Sequence, residues 1–226
     1  WKLLNEVLNK SHFKQKLPHT FHFKNQTLDD PKLIAERFCD YFTSIGPNLA
    51  KKILPSSKSY RSFLSGNYLH PFILKEATEQ EIIHVCSTLK PGAALGFDSI
   101  PFTLIKETIN LISNHITHIF NVSLTSGIVP LELKIAGVVP LFKADDKSSF
   151  SNYRPISVLP SFSKILEKLV YNRLIDYLNM YKILSDNQFG YRKQHSTEYA
   201  LTLLYDKVSL AIDDKKFMRP SHHAAL

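Results

Sequence analysis

Ile135-Ala136-Gly137-Val138-Val139-Pro140-Leu141-Phe142 is short, apolar and β-branched, and Tyr153-Arg154-Pro155-Ile156-Ser157-Val158-Leu159 repeats that character across a polar stretch, residues 143–152. Segments of that length and make-up suit strands, and the polar stretch suits the turn between them. The second carries its Pro near the start, which a short strand tolerates. The other apolar spacing reads as helix. Asp29-Asp30-Pro31 sets an acidic cap and a first-turn Pro ahead of Leu33, Ile34, Phe38, Tyr41, Phe42 and Ile45. Gly46-Pro47 is expected to break that helix, with Asn48 to Leu54 resuming it. Thr78-Glu79-Gln80-Glu81 is a capping box before Ile82, Ile83, Cys86 and Leu89, and Pro91-Gly92 stops the helix. Leu104, Ile105, Ile109, Ile112, Ile116, Ile119 and Phe120 make a longer stripe between Pro101 and Gly127. Ser161 or Ser163 caps a helix carried by Ile165, Leu166, Leu169, Val170, Leu174, Tyr177 and Leu178, with Lys164, Lys168 and Arg173 expected towards solvent or phosphate. A last helix starts near Ser196-Thr197-Glu198, with Ser196-Thr197 read as its cap, and runs to about Ile212. Residues 1–28 are weakly patterned, with one or two amphipathic turns at Leu3, Leu4, Val7 and Leu8, and residues 55–72 and 183–195 read as connections. The expected fold class is α+β, mostly helical with a small antiparallel sheet.

With 226 residues, 44% hydrophobic and 21% charged, the chain can build a core, and disorder is excluded as a description of the whole. No apolar run approaches the roughly 18 residues of a membrane span. No secretory signal opens the chain, so no membrane partner and an intracellular place, nucleus or cytoplasm, are expected. It starts at Trp1 and not at Met, which leads us to expect a fragment of a longer product. Cys39 and Cys86 stand far apart with no CxxC, which argues against a disulfide scaffold or zinc site and fits a reducing compartment. Charge is uneven. Residues 1–75 carry twelve Lys/Arg against five Asp/Glu (+7), residues 76–126 two against five (−3), and residues 127–226 fourteen against ten (+4). Basic flanks suit nucleic-acid phosphates, and a charge drift without function is the competing reading.

No GxSxG, HExxH or GxxxxGK[ST] occurs. His19/His22 and His115/His118 have helical i, i+3 spacing, but neither has a third ligand at useful spacing. His222-His223 lies in the terminal segment. Clustered carboxylates serve two-metal polymerases and nucleases, which draws attention to Asp29-Asp30, Asp145-Asp146 and Asp213-Asp214. The first reads as a helix cap, the second as a polar loop between Lys143 and Lys147, the third as a solvated turn before Lys215-Lys216. The stronger signal is Lys143 at the end of one strand and Arg154 at the start of the next. A hairpin brings these cations to one side of a sheet, where a Lys point charge and an Arg fork suit a triphosphate. Two exposed hairpin charges without a ligand remain the alternative.

The blocks Ala136 to Lys143 and Tyr153 to Leu159 together resemble the fingers of non-LTR (LINE-like, jockey-like) retrotransposon reverse transcriptases. Ser163-Lys164-Ile165-Leu166-Glu167-Lys168 and Gln188-Phe189-Gly190-Tyr191-Arg192-Lys193-Gln194-His195-Ser196-Thr197-Glu198 continue the pattern in family order. Upstream, Gly96-Phe97-Asp98-Ser99-Ile100-Pro101 resembles the block before the fingers, and Phe38 to Leu49 and Glu81 to Lys90 resemble the preceding linker. The resemblance covers about residues 29–212. It implies that Lys143 and Arg154 hold the triphosphate of the incoming nucleotide, and that Arg192 and Lys193, with His195 near them, contact the template. It implies residues 1–75 as a linker or helical extension and 76–226 as the fingers portion of the polymerase domain. RNA template, DNA primer and deoxynucleoside triphosphate are the implied partners, and Mg2+ the cofactor of the whole enzyme. The family's first catalytic Asp strand and its later Ala-Asp-Asp hairpin have no match before the chain closes on Lys215-Lys216-Phe217-Met218-Arg219. The expected function is therefore an RNA-directed DNA polymerase fragment that supplies nucleotide and template contacts, without catalytic carboxylates and without a bound cofactor. A decayed or co-opted nucleic-acid-binding module is the alternative.

Overall fold

The computed structural model describes residues 17–23, 26–55, 59–63, 70–91 and 94–216. The readings at Leu3 to Leu8 and His222-His223 lie outside them. The chain divides into two compact units, Trp1–Lys168 and Leu169–Leu226. Element order is β1 (Phe21–Phe23), β2 (Gln26–Leu28), α1 (Pro31–Ala50), a 3-10 turn (Tyr60–Phe63), α2 (Glu79–Thr88), α3 (Phe102–Ser126) and α4 (Leu131–Lys134). There follow β3 (Gly137–Phe142), a second 3-10 turn (Phe150–Asn152), β4 (Tyr153–Val158), α5 (Ser161–Met180) and α6 (Thr197–Asp213). The fold is α+β, with two separate two-stranded antiparallel sheets among the described residues, β1–β2 and β3–β4.

β1–β2 was not foreseen in the weakly patterned opening residues. Its Phe21 is fully buried and centres an aromatic cluster with Leu28, Ile34, Phe38, Phe150 and Tyr153. The Phe21 ring meets Phe150 at 4.9 Å, Phe38 at 5.1 Å and Tyr153 at 5.7 Å between centroids. This cluster ties α1 to the foot of the β3–β4 hairpin, and the His22 amide donates to the Ser148 carbonyl at 2.9 Å. Asp30 caps α1 by accepting from the Lys32 amide at 3.1 Å. Gly46-Pro47 does not break α1, contrary to the expectation. Pro47 lies in the last turn, where it forfeits one donor, and the Lys51 amide still reaches the Pro47 carbonyl at 3.1 Å.

α2 packs against α3. Thr78 caps α2, accepting from the Glu81 amide at 3.2 Å, and Ile82, Val85 and Cys86 are buried behind it. On α3 the buried face is Phe102, Ile105, Ile109, Ser113, Ile116, Thr117, Phe120 and Ser123. Leu104 and Ile119, which the apolar stripe counted as core, are exposed. Small hydroxyl residues take inner positions instead: Ser113 donates across to Glu79 Oε2 of α2 at 3.1 Å, and Ser123 donates to the Ile119 carbonyl of its own helix at 3.0 Å. Asn121 clamps the strand of chain before α2, donating to the Ala77 carbonyl at 3.0 Å and accepting its amide at 2.6 Å. Ile165, Leu166 and Leu169 of α5 are buried, while Val170 and Leu178 are only partly so. Ser161 and Ser163 at its start donate to the carbonyls of Ile100 (3.0 Å) and Leu133 (2.6 Å), so the two hydroxyls tie α5 to the loop before α3 and to the short helix α4.

In the second unit, Ser196 caps α6 by accepting from the Tyr199 amide at 3.1 Å. Of the pair read as a cap, Ser196 serves as one and Thr197 opens the helix. No residue of α6 is buried.

Candidate nucleic-acid interface

β3 and β4 pair in the register Val139↔Ile156, Leu141↔Arg154 and Phe142↔Tyr153. Side chains alternate between faces along a strand. Phe142 and Tyr153 therefore point into the aromatic core, and Val139, Leu141, Arg154 and Ile156 share the other face, where all four are exposed. Lys143 follows β3 directly, and its amide donates to the Asn152 carbonyl at 2.8 Å, which continues the ladder by one residue. It therefore falls on the Arg154 face, diagonal to Arg154. Among the described residues, neither cation is paired with a carboxylate. The result is an apolar platform edged by two unneutralised positive charges, the electrostatics that a polyanion with a flat apolar part requires.

The connecting loop is built by Asp146. Its carboxylate accepts from the Ser148 amide at 2.9 Å and from the Ser148 hydroxyl at 2.7 Å, and the Asn152 amide group donates to its carbonyl at 2.8 Å. The Ser148 bonds, the backbone one first, hold the Asp146 carboxyl below its ordinary pKa. Tyr153 closes the loop from the core side, its hydroxyl donating to the Lys147 carbonyl at 2.7 Å, and burial followed by the Asp146 charge raises its pKa. Asp145 sits at φ 70°, a left-handed conformation that short polar residues tolerate in turns. Loop-building thus accounts for Asp146, capping for Asp30, and a 2.8 Å ion pair with Lys216 for Asp214. Among the described residues no group of three or more His, Cys, Asp or Glu gathers to hold a metal. The carboxylates of the described residues do not gather into the two-metal centre that the resemblance implies for the whole enzyme.

The Gly96 block is positioned by contact with the start of α5. A Cβ at Gly96 would stand 2.7 Å from Pro160 Cα, so only glycine allows this approach. Lys164 Nζ then reaches the Ala94 carbonyl at 3.0 Å, and Asp98 accepts from the Ile100 amide at 3.3 Å. Lys164 was expected to face solvent or phosphate and instead fastens this loop.

In the second unit, Tyr191 and Gln194 adopt positive φ (58° and 63°) on either side of Arg192 and Lys193, and Tyr191 is fully exposed. Arg192 Nη1 donates to the Ser185 carbonyl at 2.9 Å, which folds residues 185–192 back on themselves. Lys193 is exposed. His195, Phe189 and Tyr199 form a trio in which His195 is 5.7 Å from each of the other two rings and these are 5.6 Å apart. The spacing had singled out neither this aromatic cluster nor the apolar platform of β3–β4, although alternate Val139, Leu141 and Ile156 opposite an Arg is a signal for the latter.

No family model matches the chain. Curated relatives do. Over 145 residues it is 31% identical to a probable RNA-directed DNA polymerase from transposon BS of Drosophila melanogaster, a match covering 64% of this chain and 16% of the relative. Over 161 residues it is 27% identical to the RNA-directed DNA polymerase from mobile element jockey of the same species, covering 71% of this chain and 18% of the relative. A probable RNA-directed DNA polymerase from transposon X-element is 28% identical over 139 residues, 61% of this chain and 15% of the relative. The chain thus matches less than a fifth of the length of these relatives. With motifs in family order from the Gly96 block to Glu198 and these relatives behind them, the chain is a homologue of the RNA-directed DNA polymerases of jockey-like non-LTR retrotransposons.

Proposed function

We propose that this chain is the linker (residues 1–75) and fingers (76–226) portion of an RNA-directed DNA polymerase, incomplete as a polymerase, and that it handles nucleotide and template without the catalytic carboxylates. Lys143 and Arg154 bind the triphosphate of the incoming deoxynucleotide. Arg192 and Lys193 bind the template backbone. The observation that carries the reading is the β3–β4 hairpin, which sets Lys143 and Arg154 on one exposed face of a rigid platform anchored through Phe142 and Tyr153. Nucleotide transfer needs two divalent metals about 4 Å apart, held by carboxylates that the rest of the polymerase supplies. The chain's own residues orient the triphosphate and neutralise part of its charge.

The test is a chimera in which this chain replaces the matching segment of the jockey polymerase, assayed for RNA-templated primer extension. The chimera is expected to extend primers, and Lys143→Ala or Arg154→Ala to raise the KM for deoxynucleotide by about tenfold or more, as removal of a charge-assisted hydrogen bond requires. A chimera that binds RNA but does not extend primers, beside an active parent, favours a nucleic-acid-binding module without polymerase function. Variants with unchanged KM contradict the roles given to the two cations.

A further inference from the structure

We propose a second single-stranded nucleic-acid contact in the first unit, a groove where β1, α1 and the loop before β4 meet; it rests on the nucleic-acid reading above and extends it to residues outside the hairpin platform. The groove encloses about 480 Å³ and is walled by His22, Phe23, Arg37, Asp40, Tyr41 and Phe150, with serine hydroxyls between them. Phe23 and Tyr41, with the buried Phe150 behind them and a guanidinium and an imidazole beside them, form the chemistry that takes a stacked base and its phosphate, with little demand on sequence. Arg37 lies over the Phe23 ring, 5.1 Å from its centroid, which fixes the plane of the fork. Its Nε is buried and has no hydrogen-bond partner. One arm, Nη1, is held by Asp40 Oδ2 at 3.1 Å. Among the described lining residues that carboxylate is the one anion, and it competes with a phosphate for Arg37. The strongly basic balance of residues 1–75 favours a polyanion over a neutral ligand.

The test titrates the whole chain with a labelled mixed-sequence single-stranded RNA, and separately with DNA, across a salt series. Arg37→Gln keeps most of the stem on Phe23 and should weaken binding about threefold or more, lowering the salt slope by about 0.7 because one phosphate fewer is neutralised. Asp40→Asn removes the competing anion and should tighten binding. A misfolded protein would not give that gain, and an exposed i, i+3 ion pair contributes little to folding. Lys143→Ala and Arg154→Ala are titrated in parallel. If these weaken binding while Arg37→Gln and Asp40→Asn leave it unchanged, the groove proposal falls and the hairpin reading stands. If Arg37→Gln weakens and Asp40→Asn tightens binding while the hairpin variants do nothing, the groove stands and the hairpin reading falls. A chain that binds neither RNA nor DNA overturns both.

Discussion

Phe21→Ala tests whether the aromatic cluster fixes the hairpin, and its cost follows from the geometry. Phe21 is fully buried and its ring touches Phe38, Phe150 and Tyr153. Removing a buried phenyl forfeits about 1.5–3 kcal/mol of transfer free energy. Ring pairs add about 0.5–1.5 kcal/mol each beyond area, and neighbours anchored on α1 and β4 cannot fully collapse into the space. The expected destabilisation is about 3–5 kcal/mol, within the range of buried Phe truncations. At a urea slope of about 2 kcal/mol/M this moves the unfolding midpoint of the first unit down by roughly 1.5–2.5 M, followed by far-ultraviolet circular dichroism. A double-mutant cycle with Phe150→Ala should return a coupling of about 0.5–1.5 kcal/mol, because the two rings touch directly. A Phe21→Ala midpoint within about 0.5 M urea of the parent, or a coupling near zero, would refute the claim that this cluster joins β1 to the hairpin loop.

Gly96→Ala forces a Cβ to within 2.8 Å of Pro160 N and Cα and should cost about 1–3 kcal/mol in a thermal melt, since backbone and not a flexible side chain must yield. Asn121→Ala leaves the Ala77 amide and carbonyl without their partner and should cost about 1–3 kcal/mol, read as faster hydrogen exchange at Ala77. Asp146 titrates below its ordinary range, so its contribution to loop order is complete above about pH 4 and fades as pH falls through its lowered pKa. The Ser148 amide should therefore lose exchange protection in acid, and Asp146→Asn should flatten that pH dependence.

The hairpin was legible because β-branched residues and a polar spacer carry a local signal, and the same holds for the caps at Asp30, Thr78 and Ser196. The β1–β2 pair was not legible. Three-residue strands are too short for any period to show, and Phe21 is in the core only because Phe38 and Phe150, far along the chain, surround it. Periodicity also misplaced the α3 stripe. Counting only apolar residues included Leu104 and Ile119, while Ser113, Thr117 and Ser123 were the inner residues; the Ser113 and Ser123 hydroxyls find partners, and Thr117 Oγ1 is buried without one. Lys164 illustrates a tertiary override. Nothing near it in the chain announces a carbonyl at Ala94. For the site, the residue types at 143 and 154 were legible, but their common face depended on the register Leu141↔Arg154, which loop length alone does not fix.

The most direct measurement is a titration of the isotopically labelled chain with a deoxynucleoside triphosphate, followed by amide chemical shifts. The account predicts shifts concentrated at residues 139–143 and 154–156, abolished in the Lys143→Ala/Arg154→Ala double variant while its spectrum otherwise keeps the dispersion of the parent. Shifts absent from that face, or unchanged in the double variant, would contradict it.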